Sequence, residues 1–323
     1  MVTGVDRGRY QFRRLRRRFR TPLRTGSGTV ECVDRILLRV EAESGVGFGE
    51  IAPWPGFPVE TADTAAAALR EAGSDLGRLR SLVRTRSSTL PCLAAGLSMA
   101  ERWNEFARFA GALPCAALLA SGGTDAAERI REGYRTLKLK IGPEDAPSLL
   151  ISLLAQLPET TRLRIDANGS LRLERAREWV ALARSDPRIE FIEQPLPPDH
   201  AGYVSLGPTK VALDESMAQP ATSRDAARWE GDIVIKPALG GDWHALANWA
   251  SSRRERIIPS SAFETAVGRQ ASLALAHTLG TGRDGGFDTL GRFESDGRDL
   301  HRPGPLACGR DDIDWEAFWD SAA

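Results

Sequence analysis

From about residue 113, short β-branched or aliphatic runs alternate with helix-length amphipathic segments, and this rhythm constrains the fold more than any other feature of the chain. Strands are expected over 115–119, 136–141, 162–166, 190–193, 211–214, 233–236 and 257–259, with a weaker last one over 287–290. The helix after Asp166 carries its own punctuation: Ser170 as N-cap, apolar Leu173, Ala176, Val180 and Ala183 on one face, and a stop at Asp186-Pro187. Strands alternating with helices imply a parallel α/β sheet. About eight such units imply a closed (β/α) barrel, here over residues 113–291.

Five of these strands end on a charged side chain: Lys140, Asp166, Glu193, Asp214 and Lys236. The intervals between them are 26, 27, 21 and 22 residues, each about one βα unit. In a barrel, that spacing rings all five around the C-terminal rim, where such folds hold their active sites. A doubly wound open sheet would spread them along one edge instead. Composition sharpens the reading, because of 43 basic residues only Lys138, Lys140, Lys210 and Lys236 are lysines. Arginine stays protonated, whereas lysine can lose its proton when desolvated or crowded by positive charge. A chain that writes Arg nearly everywhere keeps Lys where Arg would fail. Lys210 is read as a snorkelled surface residue.

Residues 1–112 read as an α+β capping domain, joined by the C-terminal tail 292–323. Strands are expected over 36–41 and 46–51 around a Ser44-Gly45 turn, with helices over 62–72 and 89–110, the second with Pro91 in its first turn. The arginine-rich run 13–20 is read as a solvated edge strand whose Tyr10, Phe12, Leu15 and Phe19 face inward, in preference to a nucleic-acid arm or an organelle-targeting segment. Acidic and basic residues balance at 43 each, so no overall field favours nucleic acid or membrane. No apolar run is long enough to span a bilayer, and residues 1–10 lack the apolar core of a signal peptide. Cys32, Cys92, Cys115 and Cys308 stand far apart, as expected of free thiols in a cytoplasmic protein.

Three carboxylates converging from successive strands repel one another unless a cation sits among them. Oxygen ligands suit Mg²⁺, with Mn²⁺ as a substitute, so Asp166, Glu193 and Asp214 are the expected ligands. Lys138 and Lys140 are two apart on a strand and share a face. Desolvated there, either pKa is expected to fall toward the range useful for a base. Lys236 arrives from the far side, so a metal-bound carboxylate substrate would lie between Lys140 and Lys236. That arrangement suits abstraction of a proton α to a carboxylate, with Mg²⁺ stabilising the enediolate.

The ordered set Lys-x-Lys, Asp-x-Asn, Glu-Gln-Pro, Asp-Glu-Ser and Lys-Pro resembles the enolase superfamily in its muconate lactonising enzyme subgroup, and the likeness runs through nearly the whole chain. The segment from Gly47 to Phe57 is similar to the Gly-x-Gly-Glu-x-x-Pro-x-Pro-Gly-Phe of its capping domain. The segment from Ser260 to Gly268 is similar to the seventh-strand region of o-succinylbenzoate synthases. The resemblance implies an enolase-type modified barrel with Lys140 as base, Lys138 steadying the carboxylate, and Lys236 stabilising the intermediate from the other face. It also implies Asn168 and Glu215 behind the metal ligands, and substrate contacts from Ser260, Ser261, Phe263 and Glu264.

The implied reaction is loss of water from 2-succinyl-6-hydroxy-2,4-cyclohexadiene-1-carboxylate to give o-succinylbenzoate, a step of menaquinone or phylloquinone synthesis, by a monomer or small homo-oligomer. Two capping segments are expected at the barrel mouth: the loop around 19–29, as a lid that moves on binding, and the Trp54-Pro55-Gly56-Phe57 turn. The segment from Glu31 to Ile36 departs from the Arg-Glu-Gly that many relatives carry there. An N-acylamino-acid racemase or dipeptide epimerase on the same scaffold is the alternative. Dipeptide epimerases usually carry Asp-x-Asp at the eighth strand, where this chain has Asp288 alone.

Overall fold

Two long strands open the chain. β1 (Arg9–Thr25) and β2 (Gly28–Ala42) pair antiparallel, and β3 (Gly45–Ile51) completes a sheet in the order β1-β2-β3. The computed structural model describes residues 8–25, 28–55, 60–217 and 228–322. The arginine-rich run thus lies on an edge strand, with Tyr10 and Phe19 buried and Phe12 and Leu15 partly so. Arg14 and Arg16 stay on the solvent side and share Asp34 at 2.7 and 3.0 Å. Arg17 departs from the solvated-face expectation. It is 1% exposed and bonds Asp296 (2.7 Å), Asp299 (2.8 Å) and the Glu264 carbonyl (3.2 Å). The stretch 19–29, expected as a loop, is the closed end of this hairpin, apart from residues 26 and 27, which lie outside the described residues.

Four helices cover the sheet: α1 (Ala62–Ala72), α2 (Leu76–Arg86), α3 (Pro91–Glu101) and α4 (Trp103–Phe106). The single helix expected over 89–110 breaks at Arg102, whose φ and ψ are −103° and 12°. Helix α2 was not expected, since its arginines obscure a buried stripe of Leu76, Leu79 and Leu82. Helix α3 rests on β3 with almost no gap. A Cβ on Gly49 would lie 1.9 Å from the Gly96 carbonyl oxygen, so the strand side of the contact must be glycine.

The barrel is led in by β4 (Ala112–Pro114) and built from β5 (Ala117–Leu118), β6 (Thr136–Lys140), β7 (Arg162–Asp166), β8 (Ile189–Glu193), β9 (Val211–Leu213), β10 (Asp232–Ile235) and β11 (Ile257–Pro259). β5 to β11 form one parallel sheet in sequence order. Around it lie α5 (Ala126–Arg131), α6 (Pro147–Leu154), α7 (Leu173–Ser185), α8 (Tyr203–Leu206), α9 (Trp243–Ser251) and α10 (Ala266–Leu279). Gly285 and Gly286 close the ring by parallel bridges to Cys115 and Ser260. The closing strand expected over 287–290 is therefore two residues early, and 288–290 form a turn. A Cβ on Gly286 would lie 2.4 Å from Ser260 Oγ and would push that hydroxyl aside, and glycine is a residue with no strand signature. Ser170 is not the cap of α7 either: Arg172 takes that position, and the Ser170 hydroxyl is buried without a partner.

The tail returns to both parts of the molecule. β12 (Leu306–Cys308) pairs with β4, and α11 (Trp315–Asp320) sets Trp315 edge-on against Trp103 with ring centres 4.9 Å apart. One apolar cluster runs from the capping sheet and α1–α3 through to β10, α9 and α10. Among the described residues no helix is long and apolar enough to cross a membrane. Cys32, Cys92, Cys115 and Cys308 are free thiols.

Candidate active site

Parallel pairing puts the charged strand ends side by side. Lys140 pairs with Asp166 and Asp166 with Glu193 in the ladder, and Asp214 follows β9 directly. Lys138 donates to Glu193 Oε1 at 2.7 Å and lies 3.0 Å from Asp166 Oδ2. Lys140 donates to Asp166 Oδ2 at 3.0 Å and to Asn168 Oδ1 at 2.6 Å. From the opposite wall, Lys236 pairs with both carboxylate oxygens of Asp214. Asn168 passes a hydrogen bond on to Glu215 Oε1 at 3.1 Å, and Glu215 Oε2 is buried with no partner. All eight expected residues on β6–β10 thus gather at one rim.

The motif residue between Glu193 and Pro195 explains how two strand ends are held. Gln194 has φ of 39°, in the left-handed region. Its Oε1 accepts from the amides of Asp214 (2.9 Å) and Ser216 (3.2 Å), while its Nε2 donates to Tyr203 Oη, Ser216 Oγ and the Leu196 carbonyl. One buried amide therefore fixes β8 against the turn that carries Asp214. The Glu-Gln-Pro motif marked the residue, but only the fold shows the bond it makes.

Burial sets the electrostatics. It works against the Lys138 ammonium, yet Asp166, Glu193 and Asp214 outweigh it and hold that pKa above the ordinary lysine value. Lys236 is raised in the same way, with Asp214 and Glu215 overcoming burial. The expected fall of the Lys138 pKa is therefore reversed here, because lysine and carboxylate pair directly. Burial also opposes the Asp166 carboxylate, but Lys138 and Lys140 keep its pKa well below the usual range. Burial pushes the Glu193 carboxyl up to about 7, against Lys138 and with the help of Asp166 and Asp214. Asp214 is likewise raised by burial, with Lys236 opposing and Glu215 adding.

Among the described residues, no three acidic, histidine or cysteine side chains stand close enough together to share an ion. Lys138 lies between Asp166 and Glu193, and Lys236 holds Asp214. The donor set nonetheless fits a hard divalent cation: three buried carboxylates at the ends of consecutive strands, with Glu193 raised by burial and further by Asp166 and Asp214, beside an orphaned Glu215 oxygen.

Above these charges opens a cleft of about 760 Å³, counting solvent at its mouth. Ser260, Ser261 and Phe263 line it, with Leu118, Asp288 and Thr289 from the barrel and Leu23, Thr25 and Trp54 from the capping domain. The 20s hairpin and the 50s turn thus both reach the mouth as expected, although residues 56–59 lie outside the described residues. Glu264 does not reach it. Its carboxylate sits under the wall and accepts from Ser261 Oγ at 2.5 Å. Asp288 is committed to the Leu118 amide (2.9 Å) and Tyr134 Oη (3.2 Å).

Comparison with known proteins agrees with this geometry. A family model described as enolase C-terminal domain-like matches residues 123–291, and one described as the MenC N-terminal domain matches residues 28–103. An o-succinylbenzoate synthase of Thermosynechococcus vestitus is 36% identical over 85% of this chain and 92% of its own length. A crystal structure of o-succinylbenzoate synthase from Thermosynechococcus elongatus BP-1, with Mg in its active site, superposes with a TM-score of 0.82 at 32% identity, covering 97% of this chain and 99% of that one. A dipeptide epimerase from Enterococcus faecalis V583, holding Mg and the dipeptide L-Leu-L-Tyr, reaches a TM-score of 0.78 at 20% identity over 95% and 98%. That last likeness is one of fold.

Proposed function

The chain belongs to the o-succinylbenzoate synthase family of the enolase superfamily, and from that premise we propose how its rim carries out the dehydration. The substrate is 2-succinyl-6-hydroxy-2,4-cyclohexadiene-1-carboxylate and the product o-succinylbenzoate, a hydro-lyase reaction. The observation that carries the reading is the opposition of lysines across the rim: Lys138 and Lys140 on the Asp166 side, Lys236 on Asp214.

Asp166, Glu193 and Asp214 would hold Mg²⁺, with Mn²⁺ as a substitute, once their lysine pairs give way. The bound ion supplies positive charge where the substrate carboxylate gains electron density. Lys140, released from Asp166 and kept in place by Asn168, takes the proton α to that carboxylate. The same ammonium then gives a proton to the departing hydroxide, so water leaves and the ring becomes aromatic. Lys138 neutralises the carboxylate it faces. Lys236 keeps a cation over the opposite ring face, where its charge acts in a water-poor site. The apolar part of the wall, Leu23, Trp54, Leu118 and Phe263, suits a six-membered carbocycle.

Both oxygens of Asp288 already accept, one from the Leu118 amide and one from Tyr134 Oη, which disfavours that carboxylate as the holder of a dipeptide's ammonium. The metal assignment is tested by thermal unfolding against Mg²⁺ concentration, beside turnover with EDTA. Mg²⁺ should raise the Tm of the wild type but not of Asp214→Asn, and EDTA should end turnover reversibly. An equal Tm rise in both proteins, or full activity in EDTA, contradicts the assignment.

A further inference from the structure

Arg35 lies in the segment from Glu31 to Ile36, within the buried part of the capping sheet. It sits on β2 of the capping sheet with a guanidinium 0% exposed. Its five donors do not spread into solvent or onto one acid. Nη1 donates to the Pro53 carbonyl at 2.9 Å, Nη2 to the Ala262 carbonyl at 2.6 Å, and Nε to the Phe263 carbonyl at 3.4 Å. One side chain of the capping domain thus ties the 50s turn to the barrel loop after β11.

Those two segments carry the aromatic wall of the cleft. Trp54 and Phe263 stack with ring centres 5.1 Å apart and an interplanar angle of 20°, and both line the cavity. Phe263 holds φ at 61°, a left-handed conformation that a bulky residue keeps only where its surroundings impose it. Arg35 grips the carbonyls of Ala262 and Phe263, and Ser261 Oγ accepts from the Phe263 amide at 2.9 Å, which together hold that conformation; the Arg35 charge also lies 5.9 Å from the centre of the Trp54 ring. The guanidinium is itself held by Glu50, 3.6 Å away, whose carboxylate accepts from the amides of Thr265 (2.9 Å) and Gly268 (3.1 Å) at the start of α10. The loop is therefore pinned at both ends from the capping sheet.

We propose that Arg35 is a positioning residue, which sets the Trp54–Phe263 wall through the carbonyls of Pro53, Ala262 and Phe263 and so decides how tightly the ring of the substrate is held. This rests on the reading of the cleft as the dehydration site. The planar fork is essential to the role, because a lysine at the same place has no rigid geometry with which to grip carbonyls from two domains. Lys138, Lys140 and Lys236 lie outside the network, so the effect falls on binding and leaves the chemical step nearly intact.

The test uses the full-length protein with Mg²⁺, measuring kcat and KM for the cyclohexadiene acid and Kd for o-succinylbenzoate. Arg35→Lys should raise KM and Kd about tenfold while kcat stays within about threefold. Phe263→Gly, which adopts the left-handed φ freely, should raise them to a similar extent. Combined, the two changes should do no more than Phe263→Gly alone, to within about twofold, since both act through one wall. A lowered Tm with unchanged KM and Kd in Arg35→Lys makes the residue merely structural and overturns the proposal. So do effects that multiply in the double variant. If Arg35→Lys is not recovered folded, Phe263→Gly decides, and unchanged KM and Kd there overturn it. A wild type that neither turns over the acid nor binds the product overturns the functional reading itself, a result separable from the others.

Discussion

Lys140 and Lys236 face each other across the rim with different partners, and the difference predicts different tolerance to substitution. Lys140 is shared between Asp166 and Asn168, so its ammonium can be released to the substrate side without stranding a buried acid on one contact. Lys236 is paired with both oxygens of Asp214 and is wanted for its charge. Lys140→Arg should therefore lower kcat by about three orders of magnitude, because no group that can shed a proton remains. Lys236→Arg keeps the cation and should stay within about a hundredfold of wild type. Steady-state kinetics of the two variants checks this, and equal losses would instead indicate two proton-exchanging bases. These residues were legible in the sequence because each ends a strand, and strand period and interval fix which rim they share. Arg35 and Glu264 were not legible in that way. The Arg35 role depends on carbonyls more than two hundred residues away, such as that of Ala262, and the Glu264 carboxylate is taken up by the hydroxyls of Ser261 and Ser272, neither of which a strand period encodes.

At the level of elements, the capping domain depends on two local contacts that can be tested one at a time. Helix α3 lies on β3 through Gly96 and Gly49, and the 1.9 Å approach that a Cβ would make to the Gly96 carbonyl leaves no room for adjustment by a side chain. Gly49→Ala should cost about 1–3 kcal/mol in urea unfolding, and an unchanged midpoint would refute the contact. The N-terminus of α3 is met by Glu60, whose carboxylate accepts from the amides of Cys92 (2.5 Å) and Leu93 (3.0 Å). Burial nevertheless pushes its pKa up from 4.5 to about 7, against those two bonds. The folded state therefore holds this proton to higher pH than the unfolded state does. Its contribution to stability is complete below pH 4.5 and is lost as pH rises to about 7. Glu60→Gln should flatten the pH dependence of unfolding free energy across that window, and an unaltered slope would count against the assignment. The same contrast between local and distant causes separates the elements that the sequence announces from those that it does not. β6, β7, β8 and β11 announce themselves by branched aliphatic runs. The closing bridges at Gly285 and Gly286 have no such run, and the buried leucines of α2 are hidden among arginines.

Over the whole molecule, capping domain and barrel share one apolar cluster and a set of buried charges, Arg17, Arg35 and Glu50, that cross between them. The capping sheet supplies Leu23, Thr25 and Trp54 to the cleft while the barrel supplies the charged rim, so neither part forms the site alone. That division predicts an enzyme whose ring-binding wall and proton-handling lysines can be altered separately. Dehydration of a cyclohexadiene carboxylate, without inversion of an amino-acid centre, is the activity expected of this rim. It is tested most directly by following the purified protein with Mg²⁺ in D₂O by proton NMR, offered the cyclohexadiene acid, N-succinylamino acids and dipeptides in parallel. The expected result is conversion of the acid to o-succinylbenzoate, with little deuterium in the acid that remains and no inversion of the dipeptides. Rapid α-deuteration and inversion of N-succinylamino acids, with the cyclohexadiene acid left untouched, would contradict it.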